Sequence, residues 1–78
     1  LDGDELELSR RELQLLELLA GRFGATIQRE RLIDRIFTGE DGVAPNALEV
    51  LVSRLRRKIE SSGLELQAVR GIGYALRE

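Results

Sequence analysis

Along the chain the spacing of apolar residues changes period several times, and each change predicts an element. Glu5-Leu6-Glu7-Leu8 alternates polar and apolar side chains, the period of a half-buried strand, just after the turn-forming Asp2-Gly3-Asp4. From there the pattern widens. Leu13, Leu15, Leu16, Leu18, Leu19 and Ala20 form one broad apolar stripe, which predicts a helix over about residues 10–22, ended by Gly21 or Gly24. Ser9 and Glu12 mark its start with the spacing of a capping box, in which the serine hydroxyl and the glutamate carboxylate each accept a backbone N–H that the first turn leaves without a partner. Ala25-Thr26-Ile27 reads as a brief β segment. Leu32, Ile33, Ile36 and Phe37 then recur at helical spacing, with Arg29, Glu30, Asp34 and Arg35 on the outer side, so a second helix is expected. The run from Thr38 to Pro45 (TGEDGVAP) combines glycine, acidic residues and the only proline, and predicts a loop.

A third helix is expected from Asn46, a good N-cap residue, to about Ser61, before Gly63. At roughly 100° per residue, with Leu48 as origin, Val52, Leu55 and Ile59 lie at about +40°, −20° and +20°, a narrow stripe that must face a core. The opposite side follows from geometry: Asn46, Ser53, Arg57, Val50 and Arg54 lie at roughly 140° to 240° and must face outward. That outward side is cationic toward the C-terminal half and small or uncharged toward the N-terminal half. Leu66 to Val69 and Tyr74 to Leu76 read as two strands joined by Arg70-Gly71-Ile72-Gly73, whose glycines permit a tight turn.

Composition narrows what these elements can do. Seventy-eight residues make one domain with room for one core and one site. Cysteine and histidine are both absent, which removes disulfides, Cys/His metal sites, thiol nucleophiles and imidazole bases together, so no cofactor is expected and the chain is not read as an enzyme. No apolar run approaches the ~18 residues of a membrane span. The chain starts at Leu1 and has no methionine, so it reads as a fragment of a longer protein. The formal net charge is −2, yet it is unevenly spread: residues 1–45 carry six Arg against ten Asp plus Glu, and residues 46–78 carry six Arg plus Lys against four Glu. The second half is therefore net basic, with Arg54, Arg56, Arg57 and Lys58 crowded into five positions.

A helix face bearing Arg54 and Arg57 beside a short, nearly neutral N-terminal end suits a DNA major groove, where long cations reach phosphates or a guanine edge and Val50 can touch thymine methyls. The second helix, loop and third helix are compatible with a helix-turn-helix, although the loop is longer than the usual tight turn. An arginine at a β-turn, Arg70, can enter a narrow minor groove. Each feature also has a plain structural explanation. The cationic run can be a solvated face with Arg56 and Glu60 paired at i,i+4, and Arg70 to Tyr74 can be an ordinary hairpin. Gly71 and Gly73 lack the rest of a dinucleotide fingerprint, Asp2, Asp4, Glu40 and Asp41 lack calcium-loop spacing, and nothing isolates Glu12 and Glu17 as an acid/base pair.

Taken together, ELSRRELQLLELLA, ERLIDRIF, NALEVLVSRLRRKIE and AVRGIGYAL resemble the C-terminal effector domain of OmpR/PhoB-type response regulators, over about Leu6 to Leu76. The resemblance implies an α+β winged helix-turn-helix: three helices, a C-terminal β-hairpin as the wing, and only a remnant of the family's N-terminal antiparallel sheet. It implies sequence-specific binding of double-stranded DNA for transcriptional regulation in a two-component system. On that likeness Asn46, Ala47, Val50 and Arg54 would be closest to bases in the major groove. Leu51, Ser53, Arg56 and Arg57 would lie near the sugar-phosphate backbone, and Arg70 would reach the minor groove. The loop Thr38, Gly39, Glu40, Asp41, Gly42, Val43, Ala44 and Pro45 matches the segment that contacts RNA polymerase in some activators.

Partners implied by the likeness are promoter direct repeats bound as a head-to-tail homodimer, and a sensor kinase acting through an upstream receiver domain absent from this chain, all in the cytoplasm. Leu51 and Ala68 depart from the family, standing where relatives often carry a polar residue able to bind phosphate. The competing expectation is a winged-helix protein-interaction module whose basic face docks an acidic partner and never meets DNA.

Overall fold

The computed structural model describes residues 7–39 and 42–78. Within them the chain runs α1 (Arg10–Ala20), β1 (Ile27–Gln28), α2 (Arg29–Ile36), α3 (Ala47–Ile59), a 3₁₀ turn (Glu60–Ser62), β2 (Glu65–Val69) and β3 (Gly73–Arg77). The strand expected at residues 5–8 falls on Glu5 and Leu6, outside the described residues, while Glu7 and Leu8 lie in irregular structure.

The local signals explain the helix boundaries. The capping box forms: the Glu12 amide donates to Ser9 Oγ at 3.2 Å, and the Ser9 amide donates to Glu12 Oε1 at 2.8 Å. Helix α1 ends at Gly21, and the chain turns through Gly24, whose φ of 84° favours glycine. Asn46 does occupy the N-cap position of α3 but makes no side-chain capping bond, which leaves its amide free on the surface. Helix α3 tightens into the 3₁₀ turn and stops at Gly63, in the left-handed region.

The core forms where the stripes converge. Leu15 and Leu19 of α1, Leu32 and Ile36 of α2, and Leu48, Val52, Leu55 and Ile59 of α3 are buried against Leu66 and Leu76 of the hairpin. Burying each such side chain contributes about 1.5 to 3 kcal/mol, which is why three short helices and a small sheet hold together. Phe37, just past α2, is buried as well, with the Arg11 guanidinium 4.8 Å above its ring.

The sheet has the order β1-β3-β2, both pairings antiparallel, so β3 is the central strand. Ile27 pairs with Tyr74 and Gln28 with Gly73. The two hairpin glycines do different work. At Gly71, φ is 79° and the Ile72 amide donates to Val69 O at 2.9 Å, so the turn itself needs a left-handed residue. Gly73 is already within the strand, where the backbone of β1 passes so close that a methyl group would overlap the Ile27 carbonyl oxygen. The expectation that both glycines merely permit a tight turn is therefore corrected for Gly73.

Two further bonds tie the hairpin to the helices: the Arg29 amide at the start of α2 donates to Ile72 O (3.0 Å), and the Gly24 amide donates to Leu76 O (2.9 Å).

Candidate nucleic-acid interface

The apolar stripe of α3 fixes its other side. With Leu48, Leu55 and Ile59 at 1% exposure or less, Asn46, Val50, Ser53, Arg54 and Arg57 are left on the surface, as the helical wheel requires. Ala47 is half-buried at the first position of the helix. Val50, Ser53, Arg54 and Arg57 line one open concavity together with Ser9, Glu12 and Lys58. Val50, exposed among polar groups, gives this face an apolar contact point.

The four cations that the sequence crowds into residues 54–58 are separated by the fold. Arg54 and Arg57 project outward and make no side-chain hydrogen bond or ion pair among the described residues. Arg56 turns toward β2 and donates from Nε (3.0 Å) and Nη2 (2.9 Å) to the Leu66 carbonyl oxygen. It is not paired with Glu60. Lys58 reaches α1, donating to Glu12 Oε1 at 2.6 Å and to the Glu7 carbonyl oxygen at 2.8 Å. Two of the four are therefore bonded within the fold, and two make no such bond among the described residues.

Glu12 is the buried charge that Lys58 serves, with its side chain 4% exposed. Burial by itself raises the pKa of this carboxyl, but the Lys58 hydrogen bond, the Ser9 amide and the Lys58 charge outweigh that cost and hold it below its ordinary 4.5.

A second polar cluster joins α2, α3 and β3. Arg29 Nε donates to Glu49 Oε2 (2.7 Å) and Arg29 Nη2 to Glu49 Oε1 (3.2 Å), a two-pronged contact, and Nη2 also donates to Pro45 O (2.8 Å). The Tyr74 hydroxyl lies 3.5 Å from Glu49 Oε2. The Arg29 hydrogen bond chiefly holds the Glu49 carboxyl below its ordinary value, and burial followed by the Glu49 charge pushes the Tyr74 hydroxyl up. Through Tyr74 the hairpin is brought beside the first turn of α3. Arg70 is exposed at the tip of that hairpin, next to the exposed Ile72, and borders one concavity with Arg29.

The arrangement is thus a helix with free cations on its outer side, flanked by a hairpin carrying another. The family model described as "Transcriptional regulatory protein, C terminal" matches residues 3–76. The chain belongs to this family, the OmpR/PhoB-type effector domains. The probable transcriptional regulatory protein y4xI of Sinorhizobium fredii is 46% identical over 77 residues, covering 96% of this chain and 34% of that protein. The chain therefore spans about a third of the length of such relatives.

Among solved structures, the DNA-binding domain of Bacillus subtilis CssR superposes with a TM-score of 0.81 at 25% identity, over 96% of this chain and 84% of that one. The Klebsiella pneumoniae RstA DNA-binding domain, solved in complex with the RstA box, gives 0.77 at 25% identity, over 96% and 77%. The winged helix-turn-helix architecture is the one these neighbours share.

Two of the residues that the resemblance sets beside the DNA backbone are engaged within the fold of this effector domain. Leu51, expected beside the DNA backbone, is 7% exposed and packed in the core. At roughly −60° from Leu48 it lies outside the narrow stripe of Val52, Leu55 and Ile59, but the buried side of this helix is wider than that stripe and spans about 100° of its circumference. Arg56, expected near the backbone too, is committed to Leu66 O. Of the loop, Glu40 and Asp41 lie outside the described residues. Val43 packs against the core, Pro45 O accepts from Arg29, and Thr38 Oγ1 donates to the Asp34 carbonyl oxygen. No helix among the described residues is long and apolar enough to cross a membrane.

Proposed function

We propose that this effector domain binds double-stranded DNA sequence-specifically and so regulates transcription, with α3 in the major groove and the hairpin turn at the minor groove. The observation that carries it is the division of the basic run: Arg54 and Arg57 stay outward and partnerless among the described residues, on the same helix as the exposed Val50, while Arg56 and Lys58 are spent on the fold. In this reading Asn46, Ala47, Val50 and Arg54 face base edges, Ser53 and Arg57 face the backbone, and Arg70 enters the minor groove.

The finer assignments follow from the same reading. The domain is the output domain of a two-component response regulator, acting in the cytoplasm, with a receiver domain upstream that answers a sensor kinase. It binds promoter direct repeats as a head-to-tail pair, and the surface of residues 38–45 meets RNA polymerase.

A fluorescence-anisotropy titration against promoter duplexes at several salt concentrations tests the core of this proposal. Arg54→Ala is expected to weaken binding by ~1 to 3 kcal/mol and to relax base preference at one position. Arg57→Ala should lower the slope of log K against log salt by about one, leaving base preference intact. Arg70→Ala should weaken selection for narrow-groove A·T tracts flanking the major-groove site. Affinity independent of salt, or unchanged by both Arg54→Ala and Arg70→Ala, would overturn it.

A further inference from the structure

DNA binding by α3 leaves one residue in need of an account. Glu49 is the only acidic residue of that helix and sits in its first turn, immediately before Val50 and one turn ahead of Ser53. An exposed carboxylate there faces a polyanion, which repels it, and it also accepts hydrogen bonds from the cytosine amino group. Its charge has a dedicated partner on another element. Arg29, the first residue of α2, spans both carboxylate oxygens at 2.7 and 3.2 Å, and its orientation is set by a further bond to Pro45 O at 2.8 Å. The Arg29 main chain is itself held, because its amide donates to Ile72 O in the hairpin turn. The guanidinium is therefore fixed from two sides.

We propose that Arg29 is a specificity-determining positioning residue: it masks Glu49 so that the DNA-facing helix presents a neutral and cationic surface and does not read cytosine through its carboxylate. This rests on the DNA-binding reading above. The surface location of the pair is what makes masking matter. Glu49 and Arg29 side chains are 42% and 39% exposed, so the contact adds little to stability, yet the carboxylate is accessible to a docked duplex. Without Arg29 the same side chain keeps only the long Tyr74 contact at 3.5 Å and can swing toward the groove.

The test uses Arg29→Gln, Glu49→Gln and the double variant, each titrated with duplex DNA and passed through selection from a randomised duplex pool. Arg29→Gln is expected to weaken binding about tenfold and to enrich cytosine at one position that the parent domain leaves unselected. Glu49→Gln alone should bind at least as tightly as the parent. The double variant should return to within about threefold of the parent and lose the cytosine preference, because the group that needed masking is gone.

Three results overturn the proposal. Glu49→Gln as weak as Arg29→Gln would make the contact a brace between elements. A double variant no tighter than Arg29→Gln would mean that Arg29 itself grips the DNA. Arg29→Gln with unchanged affinity and selection would leave nothing to mask. Failure of the parent domain to select any duplex is a different outcome: it removes the DNA-binding reading, and the masking proposal with it.

Discussion

Replacing Gly73 with alanine is expected to cost the domain at least about 3 kcal/mol, the largest effect of a methyl group added at any of the described glycines. The added carbon would overlap the Ile27 carbonyl oxygen and lie 2.9 Å from the Arg29 amide nitrogen, and both obstacles are backbone atoms rather than flexible side-chain ends. Relief requires β1 to move off β3. That movement breaks the Ile27–Tyr74 and Gln28–Gly73 pairing and pulls on the Arg29–Ile72 bond at the start of α2. For a domain this small the loss corresponds to a fall in Tm of more than about 12 °C. Gly71→Ala is the control: nothing lies within 4 Å of its added methyl, so only the left-handed backbone opposes it, at about 1 kcal/mol. Thermal and urea denaturation of the two variants check this ordering. Equal losses, or a Gly73→Ala protein within 1 kcal/mol of the parent by an order-of-magnitude estimate, would contradict it.

Lys58→Ala is expected to be nearly as damaging, about 3 kcal/mol at neutral pH, because it leaves the buried Glu12 carboxylate with no cation. The partial exposure of Lys58 places the value at the low end for such losses. The sign with pH is diagnostic. In the parent the Glu12 carboxyl has a folded pKa below its ordinary 4.5, so its contribution is fully present above that pH and is lost as pH falls through the depressed folded value. In Lys58→Ala both contributions of the lysine are gone and burial is opposed by Ser9 alone, so the carboxyl is less depressed than in the parent and the variant loses less stability on acidification. The gap in unfolding free energy between parent and variant should therefore narrow steadily below pH 4.5. Urea melts from pH 7 to 3 measure it, and a gap constant across that range would assign the loss to packing of the lysine stem rather than to charge.

Much of this architecture is legible in the order of apolar residues, and the reasons are local. The Ser9/Glu12 capping box depends on residues three apart, and the stripe of Leu48, Val52, Leu55 and Ile59 on one helix, so both were readable before any coordinates. What escaped depends on residues distant in sequence. Lys58 and Glu12 are 46 positions apart and Arg29 and Glu49 are 20 apart, and no spacing rule relates them. For that reason the run from Arg54 to Lys58 read as one basic patch, while the fold divides it. The burial of Leu51 follows from its own apolar character, which a likeness to relatives with a polar residue at that position does not carry. Gly73 reads as a turn residue because the pairing of β1 with β3 is a tertiary event that no local spacing shows.

The main-chain bonds from Arg29 to Ile72 and from Gly24 to Leu76 anchor the hairpin at both of its ends, one at the doorstep of α2 and the other behind α1. A hairpin pinned twice cannot pivot freely. The separation between its tip and α3 is thereby set in advance, like the jaws of a caliper already opened to one gauge. Under the proposed DNA-binding reading, little ordering entropy would have to be surrendered when a duplex arrives, and helices whose groove spacing departs from that gauge would be disfavoured by shape.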